Sequence, residues 1–197
     1  MDSLFVQTMN MRQMMRCFLT MAAAVGAVSC LAQGYSPQPG ETILRLDVEG
    51  KGAIYIKLHT KEAPKTTAHI ARLAREGFYN GQRFFRVVKQ PRPYLVALGD
   101  PDSRDARNID NPTIGQKGSG SRIPYEETGF KNDAGAVGLS TLPKDRNSGD
   151  SQFYMLLGPS RFLDGNYTVF GRVVGGMDVL NRIERGDLVS RASILNG

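Results

Sequence analysis

Thr42-Ile43-Leu44-Arg45-Leu46-Asp47-Val48 and Ala53-Ile54-Tyr55-Ile56-Lys57-Leu58 alternate apolar and polar side chains on either side of Gly50-Lys51-Gly52. A period of two places one set on a buried face and the other toward water, and the glycines supply the reversal between them. This stretch reads as a β-hairpin. After the hairpin a helix starts at Pro64, whose missing N–H is harmless in a first turn, and stops at Gly77. Ile70, Leu73 and Ala74, with Thr66 and Thr67 one turn earlier, form its apolar stripe, while Lys65, Arg72, Arg75 and Glu76 lie outside it. Further strands are expected at Arg83–Val88, Tyr94–Leu98, Ala136–Ser140, Gln152–Leu157, Thr168–Val174 and Leu188–Leu195, with a second helix at Met177–Arg185. Between Asp100 and Lys131 the chain is rich in Gly, Asp, Asn, Ser and Pro, a long excursion of the kind that lines a site. The expectation is a mostly β domain over residues 42–197, a closed eight-stranded antiparallel β-barrel capped by two α-helices.

A chain of 197 residues suits one domain, at roughly 150 residues per domain. With 41% apolar and 22% charged residues, wholesale disorder is excluded. No apolar stretch of 18 residues follows the N-terminal region, which excludes a polytopic membrane protein. Residues 1–32 have the layout of a signal peptide: Arg12 and Arg16, then the uncharged run Cys17–Ala32 ending in small residues. Cleavage after Ala32 leaves residues 33–41 as a linker and implies export to the periplasm or cell envelope. Val28-Ser29-Cys30 also loosely resembles a lipobox, and acylation of Cys30 is the one route by which a membrane would be a partner.

Both cysteines, Cys17 and Cys30, fall in that leading segment. The remainder has no disulfide to form, and with only His59 and His69 it has no zinc or haem ligand set, so no metal and no cofactor are expected. Loss of Arg12, Arg16 and Asp2 lowers the net charge from +6 to +5, and the basic residues are scattered. Nucleic acid is therefore not an expected partner, and a monomer is. Gly115-Gln116-Lys117-Gly118-Ser119-Gly120 superficially looks like a phosphate loop, but a real one follows a strand and opens a helix; this one reads as a surface loop. Neither histidine has a legible partner, and no nucleophile–base–acid set can be read.

A set of segments carries more information: Ala63-Pro64-Lys65-Thr66, Phe84-Phe85-Arg86-Val87-Val88, Leu98-Gly99-Asp100-Pro101, Asn147 to Tyr154, and Phe162-Leu163-Asp164-Gly165 before Val169-Phe170-Gly171. In this order they resemble the cyclophilin family of peptidyl-prolyl cis/trans isomerases, particularly its bacterial members, over about Thr42 to Leu195. The resemblance implies the same capped eight-stranded barrel. It puts Arg86 at the catalytic arginine, Phe153 at the floor of the proline pocket with Gln152 beside it, and Tyr94, Leu95 and Leu163 along the pocket lining. Phe162 stands where many members have tryptophan, and Tyr167 where they often have histidine. The chain departs from the pattern at Phe85, in a longer Lys89–Pro93 loop, at Ala97 in place of a glutamine, and at Ser140-Thr141-Leu142-Pro143, where Leu142 adds bulk. The implied function is acceleration of Xaa-Pro bond rotation in folding envelope proteins, with proline-containing unfolded or partly folded polypeptides as partners. The departures at Ala97, Leu142 and Pro143 leave an alternative, a noncatalytic proline-peptide-binding chaperone on the same fold.

Overall fold

In the computed structural model residues 34–197 are described; the expected signal segment, with Cys17 and Cys30, lies outside them. The hairpin forms as read. Strand β1 (Thr42–Val48) pairs antiparallel with β2 (Gly52–Leu58), setting Leu44 opposite Ile56 and Leu46 opposite Ile54. All four are fully buried, so the alternating pattern does define the core face. Helix α1 (Pro64–Arg75) buries Thr66, Thr67, Ile70, Ala71, Leu73 and Ala74, and carries Arg72 and Arg75 in its last turn, where cations favour the helix dipole. Strands β3 (Arg86–Val88), β4 (Leu95–Leu98), β5 (Ala136–Leu139), β6 (Phe153–Leu156) and β7 (Val169–Gly175) follow, then α2 (Met177–Arg182) and β8 (Val189–Asn196). The excursion from Asp100 to Lys131 holds only two short 3₁₀ turns, Pro101–Arg104 and Ala106–Asn108.

The eight strands form one antiparallel sheet in the order β3-β4-β6-β5-β7-β2-β1-β8. The expected closed barrel is not what forms: the sheet is curled but open, with β3 and β8 as its edges. The outer edge of β8 is instead covered by irregular chain. Gly81 N–H donates to the Val189 carbonyl at 2.9 Å, Val189 N–H to the Gln82 carbonyl at 2.8 Å, and Ala192 N–H to Asn80 Oδ1 at 2.8 Å. The bridge from Arg83 to Leu188 is flanked by Phe84 N–H donating to the Asp187 carbonyl at 3.0 Å and Gly186 N–H to the Phe84 carbonyl at 2.9 Å, which joins the chain before β3 to the chain before β8. β3 is only three residues long, so most of the pairing potential of that edge is met by turns and a side chain rather than a strand.

Burial along the strands differs in kind. β1 alternates, whereas β4, β5 and β6 are buried at every position. Those strands are covered on both faces: Val96, Leu98, Val137, Leu139, Phe153 and Met155 enter the interior core. Leu95, Ala97, Ala136, Tyr154 and Leu156 join a second apolar cluster with Phe85, Leu163 and Val169. That outer cluster carries the site. Residues 34–41, read in sequence as part of a linker, are tied to the domain. The Tyr35 hydroxyl donates to Glu41 Oε2 at 2.6 Å, Lys57 pairs with Glu41 at 2.9 Å, and Gly197 N–H donates to the Glu41 carbonyl at 3.1 Å.

Candidate active site

One row of the sheet builds the site. Arg86 on β3 faces Ala97 on β4, Ala97 faces Tyr154 on β6, and Tyr154 faces Gly138 on β5. Residues in register share a face, so the arginine and the tyrosine ring are set on the same side of the sheet with one methyl group between them. Gly138 completes the row because a side chain there would overlap the Tyr154 ring.

Around this row, Arg86, Tyr94, Leu95, Ala97, Tyr154, Leu163 and Tyr167 surround a recess of about 110 Å³, floored by Tyr154 and edged by Ser140 and Thr141. At roughly 30 Å³ per water molecule that is room for a small ring. The Tyr167 ring meets Tyr154 edge-on at 5.7 Å, fixing the floor from one side. The Tyr154 hydroxyl donates to Asn132 Oδ1 at 2.7 Å, and Asn132 is held in turn by Asp164 through its backbone and side-chain N–H groups at 2.8 and 3.0 Å.

Of the residues expected at the site, Arg86, Tyr94, Leu95, Leu163 and Tyr167 are brought together. Phe162 lies beside the recess, 63% exposed, its ring tilted over Tyr94 at 5.6 Å. Gln152 lines an adjoining cleft and donates from Nε2 to the Lys117 carbonyl at 2.7 Å. Phe153 does not floor the recess. It is fully buried on the opposite face, between Leu98 and Leu139 in register, with its ring edge-on to Tyr79 at 5.5 Å and to Phe170 at 5.8 Å. A shift of one residue along a strand reverses the face, and the floor is therefore Tyr154. The continuous apolar run of Phe153–Leu157 was the available signal, since such a run marks a strand covered on both sides and its two faces need separate assignment. Leu142 is 52% exposed and edges the adjoining cleft, so its bulk does not enter the ring recess.

The electrostatics are simple. The Arg86 guanidinium makes no ion pair or hydrogen bond among the described residues and is exposed. Burial holds the Tyr94 phenol above its ordinary pKa, with the Arg86 charge pulling the other way, and burial pushes the Tyr154 phenol up strongly. Both phenols stay protonated at neutral pH. His69 does find a carboxylate that the sequence did not reveal: its Nε2 lies 3.4 Å from Asp150 Oδ1, and Ser119 Oγ also donates to Asp150. Serine and histidine both address the carboxylate, so the imidazole is not placed to deprotonate the hydroxyl, and no hydrolytic triad results. What the recess offers is a small socket walled by tyrosine rings, Leu95 and Leu163, with Ser140 and Thr141 at its edge and one positive charge beside it. This suits a site that reshapes a bound group without breaking a bond.

Comparison with known proteins leads to the same class. Residues 43–195 match the family described as cyclophilin type peptidyl-prolyl cis-trans isomerase/CLD. The chain is 36% identical over 135 residues to a mouse (Mus musculus) peptidyl-prolyl cis-trans isomerase-like 1, covering 67% of this chain and 74% of that one. It is 32% identical over 177 residues to a probable peptidyl-prolyl cis-trans isomerase of Brucella suis, covering 89% and 86%. Among solved structures, a cyclophilin-type isomerase of Cryptosporidium parvum superposes with a TM-score of 0.66 at 19% identity, over 80% of this chain and 99% of that one. A second structure of the Cryptosporidium parvum protein, determined in the presence of the dipeptide Ala-Pro, superposes with a TM-score of 0.61 at 20% identity over 79% and 98%. The chain belongs to the cyclophilin-type peptidyl-prolyl cis-trans isomerase family.

Proposed function

We propose that this chain is an exported peptidyl-prolyl isomerase in which the Tyr154 recess holds a prolyl ring and Arg86 stabilises the twisted amide preceding it. The observation that carries the reading is the row Arg86–Ala97–Tyr154, which sets a guanidinium with no partner among the described residues beside a ring-sized recess.

Rotation about a peptide bond faces a barrier of roughly 18–20 kcal/mol because the nitrogen lone pair is delocalised into the carbonyl. At proline the isomers differ by only about 0.5–1 kcal/mol, so the task is to lower the barrier. In the twisted state the nitrogen recovers its lone pair. A guanidinium suits that state because it remains charged and presents donors in a fixed plane. Tyr94, Leu95, Tyr154 and Leu163 grip the ring while the preceding carbonyl turns. Arg86 is itself exposed, so the bound peptide must exclude the water that would otherwise weaken its charge. No proton transfer is required of this chain.

The substrates are proline-containing, unfolded or partly folded polypeptides of the cell envelope. The Cryptosporidium parvum structure determined with Ala-Pro supports the substrate class, and the basic, then apolar, then small-residue order of residues 1–32 supports export. A protease-coupled assay on a short Xaa-Pro peptide tests the reaction, and acceleration over the uncatalysed rate is expected. Mass analysis of the secreted protein's first residue tests export, with a start at Gln33 expected and an acylated Cys30 as the lipoprotein outcome. The binding-module alternative draws on Ala97, which leaves Arg86 without a polar neighbour on β4. Such a module would bind the peptide without accelerating it.

A further inference from the structure

The glycine-rich loop from Gly115 to Ser121 has an internal explanation that the sequence did not show. Gly115 N–H and Lys117 N–H donate to Asp100 Oδ2 at 2.7 and 3.2 Å, while Asp102 N–H donates to Asp100 Oδ1 at 2.9 Å. Asp100 is fully buried. Farther along, Gly120 N–H and Ser121 N–H donate to Asp150 Oδ2 at 2.8 and 3.3 Å, and the Ser119 hydroxyl donates to Asp150 Oδ1. Between the two carboxylates, the Lys117 carbonyl accepts from Gln152 Nε2 at 2.7 Å. Gly118 lies so close to the Asp150 carboxylate that a side chain would overlap it. The donors that a phosphate loop would offer a ligand are already taken by the protein's own anions.

His69 on α1 backs Asp150 from behind. Arg72 can only donate, so His69 Nδ1 accepts from it at 3.3 Å and the imidazole proton sits on Nε2, which lies 3.4 Å from Asp150 Oδ1 without meeting hydrogen-bond geometry. The stapled loop forms one wall of a cleft whose other wall is Ser140 to Leu142. Ser140 and Thr141 also edge the prolyl recess, so the two depressions are contiguous.

We propose that Asp150 is a positioning residue for the isomerase, holding residues 119–121, with Gly120 in the wall itself, as a preformed edge for the peptide residues next to the proline. The inference rests on the isomerase reading above. Asp150 does not touch the prolyl recess, although it lines the adjoining cleft itself. Its role is to spare an extended substrate the ordering of a loose loop, which lowers KM and leaves the bond rotation to Arg86.

The test compares an Ala-Pro dipeptide amide with an Ala-Leu-Ala-Pro-Ala pentapeptide amide by NMR exchange, using the wild type, Asp150→Ala and Ser119→Ala. For Asp150→Ala the expected result is a rise of about tenfold in the pentapeptide KM with little change in kcat. The dipeptide kcat/KM should fall by less than about twofold. Ser119→Ala, which removes one of the staple's three loop contacts, should move the pentapeptide KM the same way by less, and it carries the test should Asp150→Ala not fold. Equal losses on the two peptides, a loss confined to kcat, or no loss would overturn the positioning role alone. A wild type inactive on both peptides would overturn the isomerase reading and this inference with it.

Discussion

Gly138 lies directly opposite Tyr154 across β5 and β6, and any side chain at Gly138 would overlap the Tyr154 ring. The floor of the recess thus depends on a missing Cβ one strand away. Gly138→Ala should push the ring into the recess, destabilising the fold by about 1–3 kcal/mol through overpacking. Because the socket itself is filled, kcat/KM on a prolyl peptide should drop in the molecules that remain folded. Thermal melting and the protease-coupled assay on one preparation check both halves.

The two aromatic neighbours on β6 should separate cleanly. Phe153 is a core residue and Tyr154 a site residue. Phe153→Ala should destabilise the fold by about 3–5 kcal/mol while leaving KM for the folded fraction close to wild type. Tyr154→Phe removes only the hydrogen bond to Asn132, a stability loss of about 1 kcal/mol, and keeps the floor. Tyr154→Leu should raise KM markedly. If Phe153→Ala raised KM more than Tyr154→Leu, the face assignment would be reversed.

How far the sequence could be read follows from the same geometry. The hairpin β1–β2 was legible to within a residue because polar Arg45, Asp47 and Lys57 alternate with apolar neighbours in sequence. Arg86, Tyr94, Leu95, Leu163 and Tyr167 were expected together from their segments, and they line one recess. Phe153 was misplaced because Gln152–Leu157 offers no alternation to say which face is which. The open edge was hidden as well, since β8 is capped by Asn80 and the Gly81–Gln82 turn, pairings no periodicity records. The staple at Asp150 joins residues about 30 apart in sequence through loop backbone N–H groups, and backbone donors leave no trace in residue types.

Ala97 sits in register with Arg86 and lines the recess with it. A glutamine there would supply an acceptor for the guanidinium and limit its freedom, where misplacement on the order of 1 Å can lower a rate about a hundredfold. Ala97→Gln should therefore raise kcat/KM on a short prolyl peptide by about threefold or more. An unchanged or lower value would give weight to the binding-module reading.

The histidines set the acid side of the stability profile. Burial is the leading cause lowering the pKa of both His59 and His69, opposed at His69 by Asp150. The unfolded chain then takes up protons below about pH 6.5 that the folded chain resists. Stability is fully present above that pH and declines as the pH falls through it. A melting series from pH 8 to 5 should show Tm dropping below about 6.5, with a flatter profile for the combined His59→Gln, His69→Gln variant. Glu41, held down to about 2 chiefly by the Tyr35 hydroxyl, should add a separate loss only below about pH 4.5.

On the proposed reading, Arg86 lowers the rotation barrier from beside the Tyr154 recess. The most direct measurement is the protease-coupled rate of wild type, Arg86→Ala and Arg86→Lys on one Xaa-Pro peptide, with melting curves recorded in parallel. Arg86 is exposed and unpaired among the described residues, so neither substitution should lower Tm appreciably. Arg86→Ala should lower kcat/KM by about a hundredfold, and Arg86→Lys should recover little because a point charge does not reproduce the planar fork. Near wild-type turnover in Arg86→Ala would contradict the assignment.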